Sequence, residues 1–175
     1  MTFDGVSVGG MEESEKRRSG ADTTPGALAT GVFVTALALW VGSAAFYSGV
    51  VLPVLFINLA ATEAGAIAAL VFPWYFRVGC VLGVIVTAAA WRLARGAGRW
   101  WQLATAVLAA MTASQLYSTL VVFPEVALLR GNRDQLERFA ALHQLSVHLN
   151  AVVLVGGILI LCGSGLLLSR RERPA

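Results

Sequence analysis

The chain has 175 residues, of which 57% are hydrophobic and only 13% are charged, and its mean hydropathy is +0.72. This composition excludes a soluble domain of the same size, so lipid is expected to be the main solvent of the protein. The net charge of +3 does not indicate a nucleic-acid partner, because the basic residues stand beside apolar runs, where they act as topology signals. Long unbroken apolar runs favour transmembrane helices over a β-barrel.

The N-terminal segment, residues 1–25, is polar and lacks the apolar content to fold alone. We predict a disordered cytoplasmic tail there, with Met11 as an alternative start. The first apolar run is too long for a cleaved signal, and it predicts a transmembrane helix over residues 28–56. Pro53 lies near the far end of this helix, where a proline disturbs helical hydrogen bonding least.

The second apolar stretch, residues 64–91, is interrupted by Pro73 and the aromatic residues that follow it. Two interpretations compete. Either one long helix kinks at Pro73, or a short interfacial helix over residues 64–72 precedes a span over residues 74–91. The second interpretation is preferred, because it places the aromatic residues and Arg77 at the membrane surface.

Two further apolar stretches complete a four-span membrane domain over residues 26–169. The third span is predicted over residues 103–123, and Pro124 ends it. The fourth is predicted over residues 145–168, and a basic cytoplasmic tail follows at residues 170–175. The first two spans share no evident motif with the last two, which gives no support to a transporter built from inverted repeats.

Basic residues predict the orientation of this all-α four-helix bundle. Three basic clusters fall on one side of the four-span arrangement: Lys16, Arg17 and Arg18; Arg92, Arg95 and Arg99; and Arg170, Arg171 and Arg173. The positive-inside rule assigns that side to the cytoplasm. We therefore predict a multi-pass protein of the cell membrane with both termini in the cytoplasm.

The sequence contains none of the common enzyme signatures. Nucleotide-binding glycine loops, HExxH, GxSxG and EF-hand patterns do not occur in it. Cys80 and Cys162 lie in apolar segments without CxxC spacing and are expected to be packed thiols. The prediction is a protein that is not an enzyme and holds no metal and no cofactor.

The most informative polar residues stand at the start of the fourth span. Around a helix, His143 and Asn150 lie about 20° apart and Ser146 lies about 60° from His143, so the three share one face. Polar groups in hydrocarbon are expected to face the bundle interior or water. Gln115 and Tyr117 of the third span are predicted at the same depth. These five residues are predicted to line an outward-facing pocket that binds or passes a small solute.

Two other functions stay open. His143 or His148 could ligate haem iron or a metal together with a partner chain, although about 140° separates the two imidazoles around the helix, too much for one shared metal. Alternatively, the polar face only joins helices, and the protein is a structural or assembly bundle. Each function is compatible with a homo-oligomer in the lipid bilayer.

Arg77 and Glu125 are both predicted at the outer membrane edge. A partly desolvated arginine needs a partner, so we predict an ion pair between them that braces or gates the pocket; the alternative is that Arg77 extends to lipid phosphate. In the same stretch, Gly79 and Gly83 form a GxxxG pattern, which predicts close approach of a neighbouring helix.

Three segments together resemble the transmembrane protein 205-like family, which is catalogued as a domain of unknown function: residues 49–56 (GVVLPVLF), 71–80 (VFPWYFRVGC) and 139–150 (FAALHQLSVHLN). The resemblance covers residues 28–168 and implies a small four-span membrane protein without an agreed activity, some eukaryotic relatives being associated with drug resistance. Eukaryotic relatives have a longer loop before the final span, whereas the loop here is short. The resemblance therefore does not imply that this chain shares their partners. By this likeness the family's marked positions are Phe76, Arg77, Gly79, His143, Ser146 and Asn150.

Overall fold

The computed structural model describes residues 24–95 and 98–171, all of them in helices and the short connections between helices. The predicted tail over residues 1–25 lies outside the described residues up to residue 23, and the basic tail lies outside them from residue 172. Four helices are long and apolar enough to cross a membrane, and we call them spans 1 to 4: Gly26–Asn58, Ala61–Ala94, Arg99–Leu129 and Leu136–Leu166. The predicted all-α four-span fold is confirmed.

Within these spans, two helices are divided by a π-helical turn. Span 1 is formed by α1 (Thr24–Phe46, which begins two residues before the span), a π-turn (Tyr47–Val51) and α2 (Leu52–Asn58). Span 2 is α3 (Ala61–Ala94), and span 3 is formed by α4 (Arg99–Tyr117), a π-turn (Ser118–Val122) and α5 (Phe123–Leu129). A 3₁₀ turn (Arg133–Gln135) precedes α6 (Leu136–Arg171), which includes span 4.

The spans run alternately up and down as an antiparallel bundle. Spans 1 and 3 each pack against both span 2 and span 4. One end of the bundle, which we call the distal end, holds the connections at residues 59–60 and 130–135. The opposite, basic end holds the connection between spans 2 and 3. The sequence prediction places the distal end outside the cell, and this orientation stays a prediction.

Two predicted helix boundaries are wrong, both near a proline. Span 2 is a single helix with Pro73 inside it, so the preferred interpretation with a separate interfacial helix over residues 64–72 is replaced by the one-helix alternative. Phe72 and Phe76, on either side of Pro73, both take part in aromatic packing with the rest of the bundle. Span 3 likewise continues past Pro124 to Leu129.

Span 4 also begins earlier than the sequence indicated. Its helix starts at Leu136 rather than near residue 145, so the segment of mixed polarity before residue 145 is the first part of the span. Polar residues are tolerated there because one face of this segment borders a cavity rather than lipid, as described below. Hydropathy alone predicts that a segment of such mixed polarity lies outside the membrane.

The two π-turns reveal a likeness between spans 1 and 3. The first π-turn is followed directly by Leu52-Pro53, and the second is followed directly by Phe123-Pro124. Each proline therefore lies in the first turn of the next helix. Proline has no N–H and its ring crowds the preceding helical turn, and a π-turn accommodates this. Both sites read Val-Val-(Leu/Phe)-Pro. Spans 1 and 3 run in the same direction, so the two sites are related as a parallel and not an inverted repeat. The expectation that the first two spans share no motif with the last two is therefore wrong at this site.

The core of the basic half is closely packed around Trp40, whose side chain is 1% exposed. Span 2 approaches span 3 through Gly79 and Gly83. A Cβ atom on Gly79 would lie 2.6 Å from Nε2 of Gln115, and one on Gly83 would lie 2.8 Å from Oγ1 of Thr112. The predicted close packing at this GxxxG pattern is confirmed.

Candidate functional site

A cavity of about 770 Å³ lies in the distal half of the bundle, between all four spans. It extends along span 4 from Phe139 to Asn150, about 16 Å of helix, which is about half of a bilayer's hydrocarbon thickness. Small residues of span 2 leave room for it, among them Gly65, Ala66 and Ala68. The cavity therefore reaches from the distal end towards the middle of the bundle.

Five aromatic rings from three spans form one side of the cavity. They are Tyr47 of span 1, Phe72, Tyr75 and Phe76 of span 2, and Phe123 of span 3. Tyr47 stacks on Tyr75 with 4.9 Å between ring centroids, and Phe123 lies 6.2 Å from both Phe72 and Phe76. These are separations at which aromatic rings attract one another beyond simple burial. We call this set the aromatic wall.

The inner end of the cavity is closed by a chain of three polar side chains. The Tyr75 hydroxyl donates a hydrogen bond to Oδ1 of Asn150 at 2.6 Å, and Nδ2 of Asn150 donates to Oγ of Ser48 at 3.1 Å. The chain joins spans 1, 2 and 4, and we call it the polar floor. Such bonds are retained in a membrane because a polar group without a partner is costly in hydrocarbon.

Arg130 stands at the opposite, outer end of the cavity. Its Nη1 donates a hydrogen bond to the backbone oxygen of Gly65 at 3.3 Å, which holds the arginine between spans 3 and 2. Among the described lining residues, Arg130 is the only arginine, and none is a lysine, an aspartate or a glutamate. The mouth of the cavity is therefore cationic.

The predicted ion pair between Arg77 and Glu125 is wrong, because each residue has another neighbour. Glu125 pairs with Arg138 of span 4. Arg77 is exposed on the outside of span 2, and its guanidinium carbon lies 5.3 Å from the ring centroid of Trp74. The rotation of span 2 turns Gly79 inward and Arg77 outward, and sequence spacing alone did not determine this rotation.

Three of the five predicted pocket residues line the cavity: His143, Ser146 and Asn150. The other two do not. Gln115 is 2% exposed and fills the notch at Gly79, whereas Tyr117 is 48% exposed on the outside of span 3. Residues two apart on a helix point in nearly opposite directions, so the side chains of Gln115 and Tyr117 cannot both face one pocket.

Sequence reasoning missed the aromatic wall and Arg130. Phe72, Tyr75 and Phe76 follow the i, i+3, i+4 spacing of one helix face, which was a signal for an inward-facing stripe. Their assignment to the membrane headgroup region obscured it. Of that aromatic cluster, Trp74 alone is strongly exposed, at 66%.

The histidine and cysteine side chains have different surroundings in the described part of the chain. His143 stacks parallel to Phe139 at 6.1 Å, and His148 is exposed. Cys80 Sγ lies 3.2 Å from Oγ1 of Thr119, whereas Cys162 is exposed rather than packed. No group of three or more His, Cys, Asp or Glu residues that could hold a metal ion occurs among the described residues.

Comparison with known proteins identifies one family. The family model described as a domain of unknown function, DUF4149, matches residues 35–135, which include most of span 1 and all of spans 2 and 3. No curated protein and no solved structure matches the chain.

Proposed function

The chain belongs to the DUF4149 family, a domain of unknown function, and we propose that this member is a non-enzymatic membrane protein that binds a small, mainly apolar molecule in the distal cavity. The observation that supports this proposal is the cavity itself. Its volume of about 770 Å³ lies within the range of roughly 300–1,000 Å³ typical of small-molecule sites, and its lining combines aromatic rings with a few polar groups. The narrower likeness to the transmembrane protein 205-like family is compatible with this role.

An occupant explains the cavity better than a purely structural role does. Helix bundles gain stability from close packing, and an unfilled space deprives the surrounding side chains of dispersion contacts. The basic half of this bundle is packed in the ordinary way around Trp40 and Leu108. Only the distal half is held open, by small residues of span 2 such as Gly65, and we attribute the open space to a ligand.

Binding is also favoured over passage of a solute through the membrane. Beyond the polar floor, Gln115 fills the space at Gly79, and the Trp40 side chain occupies the bundle centre. A solute would have to displace these buried side chains to cross. We further propose that the protein resides in the cell membrane with the distal end outside, as the basic residues indicate.

The test is saturable binding of a neutral hydrophobic fluorophore, phenylnaphthylamine, to purified protein in a non-ionic amphipol. The blocking variant is Gly65→Phe, because Gly65 lines the cavity and its position leaves room for a side chain. Gly42→Phe is the matched control, since Gly42 is equally open but lies on the exposed side of span 1. We expect saturable fluorescence in the wild type and in Gly42→Phe, and its loss in Gly65→Phe.

Equal saturable fluorescence in Gly65→Phe and Gly42→Phe would overturn the proposal. A structural bundle would then be the better interpretation. An absorption spectrum of the same wild-type sample tests the second candidate, a haem or metal protein that uses His143 or His148. That candidate has one observation in its favour, which is that His143 lines the cavity. A Soret band that disappears in His143→Ala would replace our proposal with it.

A further inference from the structure

We infer that the molecule bound in the cavity is an anionic amphiphile, whose carboxylate or phosphate group binds Arg130 at the mouth while its apolar body lies along the aromatic wall. This inference rests on the proposed function, because it specifies the ligand of the same cavity. It adds a chemical class and an orientation to that function.

The first reason is the charge of the mouth. Arg130 lines the cavity, and no described carboxylate forms an ion pair with it. Its Nη1 donates a hydrogen bond to a neutral acceptor, the backbone oxygen of Gly65. A guanidinium presents five N–H donors in a planar fork that matches the two oxygens of a carboxylate or phosphate. Arg130 therefore keeps both charge and donors available for an acidic group.

The second reason is that a nearby acidic residue is already paired. Glu125 lies one residue before Val126 of the cavity lining, and its carboxylate pairs with Arg138. Because Arg138 compensates the negative charge of Glu125, that charge does not attract a cationic ligand or neutralise Arg130. Glu63, Asp134 and Glu137 also lie at the distal end, but they are absent from the cavity lining, whereas Arg130 is part of it. The charge that borders the cavity itself therefore favours an anion.

The third reason concerns the orientation of the ligand. At the polar floor, Tyr75 and Asn150 already bond to each other, and Asn150 also bonds to Ser48. Between floor and mouth, the lining is dominated by rings such as Phe72, Phe76 and Phe123. A ligand that enters with its apolar part first leaves these bonds intact and gains contact with the rings. Its acidic group then remains at the mouth, beside Arg130 and close to water.

The experiment measures displacement of phenylnaphthylamine by matched pairs of competitors in a non-ionic amphipol, at a pH where carboxylic acids are ionised. Dodecanoate and dodecanol share one alkyl chain and differ in the acidic group. In the wild type, we expect dodecanoate to displace the fluorophore at a concentration about tenfold lower than dodecanol, as expected for one charge-assisted interaction. In Arg130→Gln this difference should disappear, and in Arg130→Lys it should be reduced.

Arg77→Gln is the control, because Arg77 is exposed on the outside of span 2 and is absent from the cavity lining. It should keep the wild-type preference. Since the fluorophore is neutral, its binding to Arg130→Gln also reports that this variant is folded.

Failure of the inference is distinguishable from failure of the proposed function. If the fluorophore binds but dodecanoate and dodecanol compete equally, or if Arg130→Gln keeps the preference, the ligand is not anionic and the inference is wrong while the binding function stands. If the fluorophore does not bind, the proposed function itself is wrong and the inference fails with it.

A second pair, naphthoate and naphthol, identifies the source of the anion. Tighter competition by dodecanoate indicates a chain derived from the lipid bilayer, and tighter competition by naphthoate indicates an aromatic acid taken from water. Both results support the inference, provided that each acid competes better than its alcohol.

Discussion

The hydroxyl of Tyr75 donates a 2.6 Å hydrogen bond to Asn150, and this contact joins span 2 to span 4 at the floor of the distal cavity. Two segments that are 75 residues apart in the chain thus supply one polar pair at the depth where lipid offers no alternative partner. The same hydrogen bond therefore stabilises the contact between spans 2 and 4 and holds two residues of the cavity lining in place.

The first prediction concerns the energy of this pair. In a double-mutant cycle of Tyr75→Phe and Asn150→Ala, we expect a coupling energy of about 0.6 kcal/mol, with about 1.7 kcal/mol as an upper value. Unfolding in mixed micelles of a mild detergent and dodecyl sulfate measures it. Tyr117→Phe is the control, because Tyr117 lies on the exposed side of span 3, and its free energy of unfolding should stay unchanged. Strictly additive effects of the two cavity substitutions would contradict the bond.

The second prediction concerns the notch at Gly79. Gly79→Ala places a methyl group against the end of the Gln115 side chain and 3.3 Å from Nε1 of Trp40. Because the end of the glutamine side chain can move, we expect a destabilisation of about 1 kcal/mol, the low end of the overpacking range. Gly42→Ala meets no atom within 4 Å and should be neutral or slightly stabilising. The unfolding midpoints of the two variants give the comparison.

Rescue by a second substitution tests the cause of the Gly79→Ala effect. Gln115→Ala removes the side chain that the new methyl group meets, so the double variant should be less destabilised than the sum of the two single variants. An additive double variant would show that the loss of stability at Gly79 has another origin.

The third prediction concerns the ion pair of Glu125 with Arg138. Both side chains are partly accessible at the distal end, with 30% and 64% exposure. Exposed pairs contribute little and are screened by salt, so Arg138→Gln should lower the free energy of unfolding by no more than about 1 kcal/mol, and less at high ionic strength. A loss well above this value that does not change with salt would contradict a surface pair.

The fourth prediction concerns orientation in the membrane. In a variant lacking Cys80 and Cys162, a cysteine introduced as Gln135→Cys at the distal end should react with a membrane-impermeant maleimide in intact cells. A cysteine introduced as Gly98→Cys at the basic end should react only after the cells are permeabilised. The reverse pattern would show that the basic clusters do not face the cytoplasm in this protein.

The part of the fold that could be predicted depends on two local properties of the sequence, the length of its apolar runs and the periodicity of a helix. Four apolar runs of sufficient length predicted four spans, because a helix is the structure that satisfies every backbone group in lipid. The shared face of His143, Ser146 and Asn150 was predictable for the same reason, since helical geometry determines it without reference to any other span.

The partners of each span were not predictable, because they depend on how the helices rotate against one another. Local hydropathy does not determine this rotation. Rotation of span 2 turned Tyr75 and Phe76 towards the interior and left Arg77 outside, and it brought Gln115 of span 3 to Gly79 instead of to the pocket.

The sequence by itself determined that this chain has four helices long and apolar enough to cross a membrane and that a polar face begins the last of them, because apolar length and helical periodicity are local properties. Only the tertiary structure decided that Arg130, the aromatic wall and the polar floor enclose one cavity. That arrangement depends on contacts between residues far apart in the chain, and these contacts form only when all four spans pack together.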